Sequence, residues 1–110
     1  MIATLVQKGD VVDFVAAADV AAGDVVVVGD LVGIAQSNVL AGETGAMAVT
    51  GVYNLPKETS TGSAIAAGAK AYWDETAKLV TKTAASNKLL GKAVLAAGDG
   101  DGSVQVLLSQ

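Results

Sequence analysis

Val25-Val26-Val27-Val28-Gly29-Asp30-Leu31-Val32-Gly33-Ile34-Ala35 decides the fold. Two aliphatic runs flank a Gly-Asp pair. β-Branched side chains fit a pleated surface, and Gly supplies the positive φ of a tight hairpin. The same grammar extends in both directions. Upstream, Val11-Val12-Asp13-Phe14-Val15 reads as a strand, and Val20-Ala21-Ala22-Gly23-Asp24 as the turn before Val25. Downstream, Gly42 to Gly45 is a polar turn and Met47 to Tyr53 one extended run. Leu55-Pro56-Lys57 ends that run, because Pro has no N–H for a ladder. Glu58 to Ser63 is a polar loop, and Ala64 to Ala67 has room for a short helical turn.

Beyond it, Ala69 to Trp73 and Lys78 to Thr81 flank the four-residue turn Asp74-Glu75-Thr76-Ala77. Leu89 to Ala96 and Val104 to Leu108 are the last strands, joined by the turn Gly98 to Gly102. No window keeps helical periodicity for three turns. The expectation is one all-β domain over residues 10–110, a small jelly roll, barrel or tulip-like fold, with an extended N-terminal arm over residues 1–9.

A weak repeat runs through the chain. Val20-Ala21-Ala22-Gly23 is echoed by Ile65-Ala66-Ala67-Gly68, and Leu31-Val32-Gly33-Ile34-Ala35 by Leu89-Leu90-Gly91-Lys92-Ala93. Ala41-Gly42-Glu43 is echoed by Ala97-Gly98-Asp99. The offsets are unequal, so the second copy would carry an insertion, the Tyr72 to Val80 hairpin. Two explanations stand at this stage: a duplicated β-unit, or turn chemistry converging on the same few residues.

Composition narrows the function. The 110 residues include no His, Cys or Arg, and all seven cations are Lys. The near-neutral general base, the thiol nucleophile, the soft metal ligands and the bidentate phosphate clamp are missing together. No catalytic residue and no cofactor is therefore assigned. Net charge is −4, a poor match to nucleic-acid phosphates. Apolar runs such as Ala93 to Ala97 are far short of the roughly 20 residues of a membrane helix. Met1 to Val6 does not read as a signal peptide. Only 16% of residues are charged, against about 25% in soluble domains, so part of the surface is expected to be covered by another protein.

Candidate chemical motifs fail on spacing. Gly91-Lys92 is followed by Ala93, and Gly62 and Gly68 are too far apart for a phosphate loop. Asp99-Gly100-Asp101-Gly102 resembles the start of a calcium loop but lacks the distal bidentate Glu, so it reads as a turn. Asp74 and Glu75, adjacent on the chain, point to opposite faces and do not make a hydrolase pair. A Ser activated by Lys needs the Lys buried, and nothing in the sequence marks such a site.

Four segments carry a resemblance: Val6-Gln7-Lys8-Gly9-Asp10, Thr50-Gly51-Val52-Tyr53-Asn54-Leu55-Pro56-Lys57, Gly68-Ala69-Lys70-Ala71-Tyr72-Trp73-Asp74 and Leu89-Leu90-Gly91-Lys92-Ala93. In that order they resemble the phage capsid cement, or decoration, family, from about Val6 to Leu108. The resemblance implies a small all-β protein that forms a homotrimer or homodimer. It would sit on the outer surface of the expanded icosahedral head and bridge major capsid protein subunits. Some members are labelled recombinases; this chain lacks the phosphate loop that label requires. The expected contacts are Ile2, Leu5 and Val6 in the arm, with Tyr53 and Trp73. Of these, Trp73 reads more readily as core than as contact. Another virion β-module, a tail-tube or head–tail joining subunit, is the alternative.

Overall fold

The computed structural model describes residues 9–109. Among them are nine strands and no helix: β1 (Val11–Val15), β2 (Val25–Val28), β3 (Leu31–Ala35), β4 (Thr44–Ala48), β5 (Gly51–Pro56), β6 (Lys70–Asp74), β7 (Leu79–Thr81), β8 (Lys88–Ala93) and β9 (Ser103–Leu108). The all-β expectation holds. The strands form two antiparallel sheets, ordered β1-β4-β3-β2 and β5-β9-β8-β6-β7. The five-stranded sheet curls until β7 meets β5, through a parallel bridge between Lys57 and Val80.

The chain forms two compact units. One holds Gly33–Thr50 with the chain up to Val26; the other holds Val27–Val32 with the chain from Gly51. The first has an apolar core of Phe14, Ala16, Val39 and Met47, lined by Val12, Val20, Val26 and Val49. In the second, Leu55, Ile65, Trp73, Val80, Leu90 and Val106 are buried.

The two units repeat one wiring. β1-β4-β3-β2 corresponds to β5-β9-β8-β6, with β7 added beyond β6. The isolated bridge Val20–Val39 is matched by Ile65–Ala97. Gly23 N–H donates to Ala35 O at 2.9 Å, and Gly68 N–H to Ala93 O at 2.7 Å. Ala35 N–H donates to Asp24 O, and Ala93 N–H to Ala69 O, both at 2.9 Å. Convergent turn chemistry explains shared residues but not a shared strand order, so the duplication is structural. The third echo falls in the right turn but two residues out. Glu43 accepts from Leu40 N–H as Asp101 accepts from Gly98 N–H, so Glu43 matches Asp101 rather than Asp99. The extra residues of the second copy form the β6–β7 hairpin and lengthen the loop between Lys57 and Ile65.

Four local expectations need correction. The run from Met47 to Tyr53 is broken at Val49-Thr50, because β4 and β5 belong to different sheets; Gly51, at φ +115°, makes the change of direction. Thr44 and Gly45 are already strand, and the turn is Ala41-Gly42, with Gly42 at φ +84°. Ala64 to Ala67 is not helical, since Ile65 is committed to Ala97. Pro56 is inside β5 rather than past it. β5 is an edge strand, where a missing outward N–H breaks no ladder.

Candidate docking surface

The arm candidates Ile2, Leu5 and Val6 lie outside the described residues. Tyr53 is half-buried in β5, opposite Val106 of β9. Trp73 is 4% exposed, on β6 between Val80 and Lys88. Its indole N–H donates to Glu75 at 3.0 Å, and Glu75 also pairs with Lys78. Its ring therefore belongs to the interior, and Tyr53 is the aromatic candidate that keeps accessible surface.

Part of the exposed apolar surface lies on the first strand of each repeat and beside it, while Val28, Leu31, Leu40, Val94 and Leu95 expose apolar surface elsewhere. Val11 and Val15 of β1 are exposed, Val15 at 66%. In the second unit Val52 of β5 is exposed and faces Leu107 of β9, also exposed, directly across the ladder. The register fixes where the β1 backbone points. Val49 N–H donates to Asp10 O and Ala16 N–H to Glu43 O, so Val12 and Phe14 share that phase and bond β4. The N–H and C=O groups of Val11, Asp13 and Val15 then point away from β4, to the outer edge of β1.

Sequence reading missed one polar site. Lys57 is 2% exposed, although nothing in the sequence marked a buried Lys. Alternation along β5 puts it there: Leu55 faces in, Pro56 out, Lys57 in. Its Nζ donates to Glu58 O at 2.7 Å and to Ser63 Oγ at 3.1 Å. Ser63, also buried, lies 3.2 Å from Asp99 O, and Asp99 accepts from Ala64 N–H at 2.8 Å. A Ser beside a Lys is the geometry of an activated nucleophile. Here both side chains are sealed from solvent and used up in tying the 58–64 loop to the 98–102 turn, so the arrangement holds structure together.

The carboxylates of the former calcium-loop candidate serve the same end. The backbone N–H groups of Gly62 and Ala64 hold the Asp99 carboxyl below the usual carboxylate range, with Lys57 and Lys82 adding to the effect. A carboxyl depressed in the fold stabilises it above the unfolded-state value of about 3.9, and that contribution disappears as pH falls through the lower folded value. Wild-type protein is therefore expected to lose stability on acidification below about pH 4 more steeply than Asp99→Asn, which keeps an acceptor without a titrating charge. Parallel acid-melting curves for the two proteins would show Asp99 to be a bystander.

Edge strands and exposed aliphatics make up this candidate docking surface, and the buried polar side chains are spent on loops. The model of the phage cement protein family matches residues 6–108, and the chain belongs to that family. It is a structural protein associated with the phage capsid. No curated protein and no solved structure matches the chain.

Proposed function

We propose that this chain is a capsid decoration protein. It binds the outer surface of the expanded icosahedral head as a homodimer or homotrimer and stabilises the shell by bridging major capsid protein subunits. The observation that carries this reading is the family match across nearly the whole chain. The physical profile supports it. Weak apolar and backbone contacts become tight when copies are linked across several shell subunits. A ligand that binds only the expanded state stabilises that state by mass action. The first contacts in this reading are Ile2, Leu5 and Val6 of the arm, an apolar segment suited to strand addition, with Tyr53 beside them in function.

Co-sedimentation of the purified protein with expanded and unexpanded heads tests the reading. Selective binding to expanded heads is expected, with an increase in their melting temperature. Deleting residues 2–6 should abolish binding while leaving the unfolding curve unchanged. Full binding by the deletion variant removes the arm from the account, and no binding by wild type removes the function.

A further inference from the structure

The two repeats treat the same edge differently. In the second unit the outer edge of β5 is blunted at Pro56, which has no N–H, and covered just beyond it. There Val80 of β7 bridges Lys57 in parallel and its carbonyl accepts from Glu58 N–H at 3.2 Å. In the first unit the matching positions are Val15 and Ala16. Val15 keeps its outward N–H, and among the described residues β1 ends its sheet with no counterpart of β7. Thus the duplication shows what this edge accepts, a short strand laid alongside, and the first copy leaves the place unfilled among the described residues.

Charge identifies the occupant. From Gly9 to Pro56 the sequence holds no Lys, Arg or His. The acids of the first unit are Asp10, Asp13, Asp19, Asp24 and Glu43. Four have local partners: Asp10 the Thr50 hydroxyl, Asp19 the Ala41 N–H, Asp24 the Ala21 N–H and Glu43 the Leu40 N–H. Asp13 has neither hydrogen bond nor ion pair among the described residues. It sits mid-strand on β1, with its side chain on the same exposed face as Val11 and Val15. A second copy is a poor occupant, because two fully overlapping β1 edges about a two-fold axis would set Asp13 against Asp13.

We propose that the outer edge of β1 takes an extended segment of the shell protein, with a Lys or Arg opposite Asp13 and aliphatic residues on either side. The proposal rests on the decoration reading above and names the partner's chemistry. Backbone bonds to Val11, Asp13 and Val15 supply the pairing, and the Asp13 carboxylate selects the register.

Binding isotherms on expanded heads test it with three variants. Val15→Pro removes one outward N–H and no β4 bond, and the second repeat already carries Pro at this place. Asp13→Lys reverses the charge. Asn54→Lys makes the matching change on β5. Val15→Pro and Asp13→Lys are expected to weaken binding about tenfold or more with unchanged thermal midpoints, and Asn54→Lys to bind as wild type. Asp13→Lys carries the test alone if the Pro variant fails to fold. Folded edge variants that bind within about twofold of wild type overturn the proposal and leave the decoration reading intact. A changed oligomeric state with normal head binding also overturns it, by making a second copy the occupant. Failure of wild type to bind heads removes the reading on which it rests.

Discussion

Gly91→Ala is expected to destabilise the protein by about 3 kcal/mol or more, among the largest effects of any single methyl group in this chain. A Cβ at Gly91 would lie 1.9 Å from Leu107 O and 2.7 Å from Ser109 N, both backbone atoms. No rotamer relieves such a clash. β8 and β9 must separate, and β9 stands between β8 and β5. The Ser109 N–H bond to Leu90 O, 3.0 Å long, would be lost with them. Gly33 occupies the same place in the first repeat. There the added atom would meet Ala48 O at 2.8 Å and the Met47 Cγ at 2.8 Å. Met is flexible and the carbonyl contact is less severe, so Gly33→Ala should cost less, about 1–2 kcal/mol. Gly100, with nothing within 4 Å, should tolerate Ala nearly without effect. Denaturant melts of the three variants test the order. A Gly91→Ala protein within about 1 kcal/mol of wild type would mean that the strands do not approach this closely.

This pair of glycines shows what the sequence reveals and where it stops. The echo of Leu31-Val32-Gly33 in Leu89-Leu90-Gly91 is visible in the letters, but its cause is a carbonyl on a neighbouring strand, which no local reading supplies. Strand existence was legible because alternation and Gly-Asp punctuation are local. Hence β1, β2 and β3 fall where the apolar runs place them. The break between β4 and β5 was not legible, since apolar residues continue across it and only sheet membership separates the two. The proposed docking edge was hidden for a similar reason. Which amides of β1 point outward depends on pairing with β4, and which edge stays open depends on where the second repeat inserted β7. The duplication was half legible, because its turns are short and low in complexity while its strand order is a property of the fold. Trp73 is a different case. Its residue type permits core or contact, and only its burial against the β7 and β8 register assigns it inward.

Lys57→Ala is expected to cost about 3 kcal/mol, because the site combines a buried aliphatic stem with two polar partners. Ala is what the first repeat holds at this position, and Ala16 is buried there without difficulty. The second repeat is built differently. The β7 bridge covers the strand end, and the loop from Glu58 to Ser63 folds over the ammonium. Truncation leaves a void and removes the donor that fixes Glu58 O. Ser63 keeps partners, with its Oγ 2.5 Å from Ser60 O, so the loss falls mainly on the Glu58 carbonyl and on packing. Lys57→Met separates the two contributions. It keeps most of the stem and loses the ammonium donor, so it should cost about 1–2 kcal/mol: the Ser63 hydroxyl, 3.2 Å from Glu58 O, can satisfy that carbonyl only by leaving Ser60 O. Hydrogen exchange at Ser63 and Ile65 gives an independent readout, since both amides lie in the segment that the ammonium helps to pin. If Met matches wild type in both stability and exchange, the ammonium contributes only bulk. If Met instead falls as far as Ala, the polar tie dominates, and the loop over Lys57 is held by its hydrogen bonds rather than by its packing.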